Sequence, residues 1–273
     1  MITACNKAVR GGLCVKHEGK GRLRYLRNAL HLSWVDVRTR YRKSVLGPLW
    51  LTLGNTIAIV GFSAVWAQLL RVERAVFVPS LTVGLVFWQY ISGCLSSGVT
   101  AYTQNAAVMR NLRVPVWFFV ARIQGYHLIN LAHNLLLVAA VLIFYGARPT
   151  LGLAWFVPGL ALVVAICALF SLALAALGAR YRDVRYAIEV SLPLLFFVSP
   201  VLFRPESLVS HYIWFNPVSY LIELVRAPLL STLGGPPRPA DWVYQGGAAI
   251  LVLMLLVYAA IYWRNPRRIL FWI

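Results

Sequence analysis

Acidic side chains are scarce in this sequence. Eight Asp and Glu stand against 26 Lys and Arg across 273 residues, a formal net charge of +18. Six of the eight acids fall outside the long apolar runs, and no two are placed as the carboxylate pair that glycoside chemistry uses. Charge of either sign is also thin, at 12% of residues against roughly 25% in soluble proteins. Cysteine is limited to Cys5, Cys14, Cys94 and Cys167, with no C-x-x-C and no metal-like spacing, so neither a disulfide scaffold nor a thiolate metal site is expected. The four read as unpaired, small packing residues. His127 and His133 lie six apart on one helical stretch, about 240° round, and do not share a metal as an i,i+4 pair does. A phosphate-binding P-loop is missing too. At Gly19-Lys20 the residue five earlier is Cys14, and Gly21 stands where Ser or Thr holds magnesium. No cleavable leader is visible, because the first long apolar run begins near Leu49; the basic start is expected to belong to the working protein. Catalysis by this chain, a bound metal or a cofactor of its own is not expected.

Apolar residues are abundant. They make up 60% of the chain, with a mean hydropathy of +0.71, more than the core of a soluble domain this size hides. A bilayer core of about 30 Å takes roughly 20 apolar residues as helix, and six segments qualify: 49–70, 77–99, 116–145, 153–177, 187–203 and 243–263. The fifth is short and carries Pro193 and Pro200, which predicts a bent or broken helix. The predicted fold is all-α and membrane-integral, with a basic tail over 1–21, an amphipathic helix over 22–45 and one six-span domain over 46–273.

Lys and Arg collect on cytoplasmic flanks. Six spans divide the basic residues into 19 on the side of the termini, 11 of them before the first span, and six on the other, with Arg122 inside a span. Both termini are therefore expected in the cytoplasm. The +18 charge reads as membrane topology rather than as a nucleic-acid surface.

Between Arg22 and Val45, Leu23, Leu26, Leu30, Trp34, Val37 and Tyr41 recur at steps of three or four, with basic residues between them. That pattern predicts a helix lying in the cytoplasmic interface. Arg38, Arg40, Arg42 and Lys43, just before the first span, serve either as a lipid anchor alone or also as contacts for an anionic headgroup. Past the fifth span, Ser210–Phe215 and Ser219–Leu230 are apolar pieces separated by the turn and helix-start signal Asn216-Pro217. Neither is long enough to span, so both are predicted to re-enter the outer leaflet packed on protein.

In the third span Arg122, Tyr126, Asn130, His133 and Asn134 share roughly one face. Such polar groups join helices or transmit motion, and Glu189 is the natural partner for Arg122. Phe62 and Trp66 share a face of the first span, and Phe196 and Phe203 a face of the fifth. They act as belt or packing aromatics, or as stacking surfaces for a sugar.

Five strings resemble, in order, landmarks of type-2 ATP-binding-cassette polysaccharide exporter permeases. They are Arg40-Tyr41-Arg42-Lys43-Ser44-Val45-Leu46-Gly47-Pro48-Leu49-Trp50, Arg110-Asn111-Leu112-Arg113-Val114-Pro115, Asn130-Leu131-Ala132-His133-Asn134, Arg180-Tyr181-Arg182-Asp183 and Phe215-Asn216-Pro217-Val218. The similarity runs from about Arg22 to the carboxyl terminus and is strongest to permeases exporting lipid-linked O-antigen, with capsule and teichoic-acid exporters close by.

The resemblance implies a homodimer in the bacterial inner membrane, bound to two copies of a separate ATPase that holds ATP and magnesium. It implies an interface helix over Arg22–Lys43 and an ATPase-coupling loop near Tyr102, Gln104, Asn105, Arg110 and Asn111. Gate helices would lie around Ser207–Phe215 and Val218–Leu230, and Phe62, Trp66, Phe196 and Phe203 would line the conduit. Cargo of the family is an undecaprenyl-pyrophosphate-linked glycan, with Arg38, Arg40, Arg42 and Lys43 as its expected pyrophosphate contacts. The extended basic start over 1–21, with its two cysteines, departs from the family pattern, and the resemblance implies no role for it. Rival readings are a type-2 permease for another lipid or a drug, a membrane-embedded glycosyltransferase or ligase, and a passive pore.

Overall fold

The computed structural model describes residues 18–42, 44, 47, 49–69, 71–111, 114–203, 213–236 and 238–262. The tail over 1–17, Lys43 and the stretch 204–212 lie outside the described residues. Among those described, every regular element is helical. In chain order they are α1 (Glu18–Arg40), α2 (Leu49–Leu69), α3 (Arg74–Gln104), α4 (Ala106–Asn111), α5 (Trp117–Phe144), α6 (Phe156–Arg180, preceded by a 3-10 turn over Leu151–Trp155), α7 (Asp183–Val198), α8 (Pro217–Leu230) and α9 (Asp241–Tyr262).

Local sequence accounts for most boundaries. Asn216 caps α8, its Oδ1 accepting from the Val218 amide at 3.0 Å, and Pro217 takes the first helical position, where a missing N–H costs nothing. Pro200 forces Ser199 out of the helical region (ψ 151°), which ends α7. Gly146 and Gly234 adopt positive φ, 81° and 87°, at the turns that follow α5 and α8.

Among the described residues, five helices are long and apolar enough to cross a membrane: α2, α3, α5, α9 and the run Leu151–Arg180 that contains α6. They correspond to the first, second, third, sixth and fourth predicted spans. The fifth differs. α7 has 16 residues, about 24 Å of helix, short of the roughly 30 Å a bilayer core requires. It starts before the predicted segment and stops at the Ser199-Pro200 break.

α3 is the centre of the bundle and packs on α2, α5, α6, α7 and α8. Its 31 residues bury a run from Phe77 to Tyr102. α8 is buried along nearly its whole length, against α3, α6 and α9, although it has only 14 residues. Buried Arg226 on α8 donates from Nη1 to the Phe203 carbonyl (3.2 Å) and from Nη2 to the Pro200 carbonyl, while Asn216 Nδ2 donates to Ser199 Oγ (2.8 Å). These bonds satisfy the backbone freed where α7 breaks. Gly84 on α3 lets the same turn sit close, since a Cβ there would lie 2.8 Å from the Val201 carbonyl oxygen.

α1 packs on α5 through small residues beside the predicted apolar stripe, with only Val37 of that stripe buried. Leu23, Leu26, Leu30 and Trp34 are exposed, whereas Ala29, Ser33 and Val37 are buried. Small residues allow the backbones to approach, and the large apolar ones point away from protein.

Candidate functional site

The α1–α5 contact is held by charge and shape together. Arg122 donates from Nε and Nη2 to the two carboxylate oxygens of Asp36, each at 2.6 Å, the bidentate geometry that makes such pairs strong. One turn along α1, Ser33 Oγ lies 2.7 Å from the Arg122 carbonyl and 2.8 Å from that of Ala29. Gly125 makes room, for a Cβ on it would meet Ser33 Oγ at 2.5 Å. The expected Arg122–Glu189 pair is therefore corrected. Arg122 belongs to Asp36, and Glu189 accepts from Arg185 Nε at 2.9 Å, four residues away on its own helix.

Both ion pairs line one cavity of about 760 Å³ between α1, α3, α5 and α7. Arg40, Ser97, Thr100, Gln104, Asn105, Tyr126 and His127 complete much of its wall. Two carboxylates offset two of its three arginines. The Arg40 guanidinium is the remaining charge, and it lies 5.0 Å from the centre of the Tyr126 ring, a cation–π distance. Beside it, burial first and Tyr126 second raise the Tyr41 phenol above its usual range, with Arg40 opposing. Of the predicted basic cluster, Arg40 alone among the described residues lines this cavity; Arg38 and Arg42 are exposed elsewhere on the surface.

A second cavity of about 280 Å³ continues along α3 and α5, sharing Arg40, Ser96, Tyr126 and His127 with the first. Uncharged groups line the rest, among them Gln89, Ser92, Asn130 and Asn134, with Val86, Leu131 and Leu192 as its apolar side. An amide triad holds its far end. Asn55 Nδ2 on α2 donates to Gln89 Oε1 (2.9 Å) and to Asn134 Oδ1 (3.0 Å), and Asn134 Nδ2 donates to Gln89 Oε1 (3.2 Å). The polar stripe predicted on the third span thus faces these cavities at Arg122, Tyr126, Asn130 and Asn134; His133 does not line them.

Phe62 and Phe196 meet, with ring centroids 6.1 Å apart, and Trp88 stands 5.6 Å from Phe196. Together with Trp66 and Phe203 they pack half-buried against the main core and line neither cavity. In the predicted coupling loop, Tyr102 is a core residue whose hydroxyl lies 2.9 Å from that of Tyr262. Gln104 and Asn105 line the larger cavity, and Arg110 and Asn111 are exposed at the end of α4. Among the described residues no three His, Cys, Asp or Glu side chains converge as metal ligands.

Asp36, Ser33, Asn55, Gln89 and Arg226 escaped the sequence reading. A signal existed for Asp36: it is the sole acid between Glu18 and Glu73, set in a basic helix on the same face as Ala29, Ser33 and Arg40.

A family model described as ABC-2 type transporter matches residues 28–230. The chain is 28% identical over 201 residues to the O-antigen export system permease protein RfbA of Myxococcus xanthus, an alignment covering 70% of this chain and 76% of that protein. It is 22% identical over 194 residues to an O-antigen export system permease protein RfbA of Klebsiella pneumoniae, covering 68% and 74%.

Proposed function

Because the chain belongs to the ABC-2 type transporter family, we propose that it is the membrane permease of an ATP-driven exporter for a lipid-linked polysaccharide of the O-antigen kind. The observation that carries this reading is the similarity, over about seven-tenths of the chain, to proteins named as O-antigen export permeases. Five apolar helices of spanning length accord with a multi-pass membrane protein. In this reading α7 and the turn over 199–203 belong to a sixth crossing, and with six crossings both termini would lie in the cytoplasm of a bacterium, the protein being in its inner membrane.

In this reading two copies of the chain form the conduit, and two copies of a separate ATPase supply ATP, magnesium and hydrolysis. α4 and the residues around Gln104, Asn105, Arg110 and Asn111 receive the ATPase. α1 lies in the cytoplasmic interface with Leu23, Leu26, Leu30 and Trp34 toward lipid. α8 is an outer gate helix, and Phe62 and Trp66 on α2, Phe196 on α7 and Phe203 in the turn beyond it border the glycan path. The anionic headgroup of the cargo is drawn to the cytoplasmic cavity by Arg40, and Arg38, Arg42 and Lys43 add positive charge in the same stretch of sequence. Arg40 is favoured because its charge is not offset by a carboxylate in the cavity wall.

The test is deletion of the gene, followed by analysis of membrane lipids and surface glycan. The expected result is a lipid-linked glycan held on the cytoplasmic side and a surface stripped of it. Unchanged surface glycan, together with failure of any ATPase to co-purify with the chain, overturns the reading. Accumulation of a different lipid-linked polymer reassigns the cargo.

A further inference from the structure

The two cavities are contiguous but chemically unlike, and their order along the bundle matches the order of groups in one class of ligand. The larger is charged, with Arg40, Arg122 and Arg185 in its wall. The smaller presents the amides of Gln89, Asn130 and Asn134 and the hydroxyls of Ser92, Ser96 and Tyr126. Ser96, Tyr126 and Asn130 make no side-chain hydrogen bond among the described residues, so their donors and acceptors are available to a guest. Gln89 Oε1 is already taken by Asn55 and Asn134, which fixes the amide and leaves its N–H groups free to donate. Asn55 thereby preorganises the far wall from α2.

Neutral donors and acceptors in this density, interspersed with the apolar side chains of Val86, Leu131 and Leu192, suit a pyranose ring. Its hydroxyls need both kinds of partner, and its C–H face needs an apolar one. A phosphate would find one cation here, Arg40 at the junction with the larger cavity, and none beyond it, while a prenyl chain would strand the amides. The volume of about 280 Å³ lies just below the roughly 300–1,000 Å³ of drug-sized pockets, which admits one sugar and not a chain. In a glycosyl phosphate a single oxygen joins the anion to the ring, and Arg40 stands where the two cavities meet.

We infer that the smaller cavity is a subsite for the sugar attached directly to the phosphate of a lipid-linked glycan, so that the permease selects cargo by its first sugar. This rests on the headgroup reading above, and the experiment separates the two. The permease, purified with its ATPase in nanodiscs without nucleotide, is titrated with polyprenyl pyrophosphate alone and with the same lipid bearing one glucose, galactose, mannose or N-acetylglucosamine. A soluble hexose 1-phosphate is the third probe.

At least one sugar-bearing lipid is expected to bind more tightly than the bare lipid. Asn130→Leu should weaken that ligand about tenfold, the loss of a hydrogen bond left unmade in a polar site, while bare-lipid affinity stays unchanged. Ser96→Ala, a smaller change, should act in the same direction and serves if the Asn130 variant is not monodisperse. Arg40→Gln should weaken bare and sugar-bearing lipids alike. Equal loss for both lipids in Asn130→Leu, or no preference for any sugar, overturns the subsite and leaves the headgroup reading standing. Bare-lipid binding indifferent to Arg40→Gln overturns the headgroup reading, with the subsite still judged by the Asn130→Leu ratio. Binding of neither lipid overturns both, and hexose 1-phosphate binding as tightly as the lipid overturns the lipid-linked assignment.

Discussion

Asp36 on α1 accepts both forks of the Arg122 guanidinium on α5 at 2.6 Å, and this pair ties the amino-terminal helix to the bundle at the wall of the larger cavity. Each side chain is about one-third exposed, so solvent screens the pair and keeps its worth to about 1–2 kcal/mol. Asp36→Asn is expected to lower the detergent-solubilised melting temperature by a few degrees. The exchange Asp36→Arg with Arg122→Asp should recover part of that loss, and a double-mutant cycle in thermal unfolding reads the coupling directly.

Ser33 and Gly125 are matched in shape. Gly125→Ala places a methyl 2.5 Å from Ser33 Oγ and 3.0 Å from its Cβ, an overpacked contact costing about 1–3 kcal/mol. Adding Ser33→Gly to the same chain should return most of the stability. If thermal unfolding shows no recovery, the two helices do not meet at this point.

Arg226 is 1% exposed and bonds two carbonyls beyond the end of α7. Arg226→Met removes both bonds and leaves Glu223, 3.8 Å away, without that charge; the cost is about 3–5 kcal/mol. Arg226→Lys should recover little, because a single ammonium lacks the planar fork that reaches both carbonyls. Size-exclusion profiles after a heat step measure both variants.

Asn55 donates to two amides of the triad. Asn55→Leu should destabilise by about 1 kcal/mol, the scale of interhelical hydrogen bonds in membranes, and loosen α2 from α3 and α5. Faster exchange or protease access along α2, compared with α3, is the expected signature.

Within the basic cluster, Arg40 and Arg38 are predicted to differ. Arg40 faces the cavity and Arg38 does not. Arg40→Gln should reduce surface glycan severalfold with normal membrane levels, while Arg38→Gln has a smaller effect. Equal effects would return the cluster to a lipid anchor.

Much of the bundle was legible in one dimension. Hydropathy placed α2, α3, α5, α6 and α9, because helix length and apolar content are local properties. Asn216-Pro217 marked the start of α8 for the same reason, since a cap and a first-turn proline act within three residues. The polar face of α5 could be drawn from a 3.6-residue period, and four of its five members do reach the cavities.

What the sequence determined, then, was which segments form helices and which face of each carries polarity. The tertiary structure alone decided how those faces pair. Arg122 had two candidate acids on other helices, Asp36 and Glu189, and hydrogen-bonding reach selected Asp36 once Ser33 and Gly125 set how closely α1 and α5 approach. Periodicity likewise drew the large apolar stripe of α1 but not the small residues, Ala29 and Ser33, that the bundle takes, because close approach of two helices needs small side chains at the contact. Pairing depends on distances between residues far apart in the chain, such as the 86 positions separating Asp36 from Arg122, and no local period encodes them.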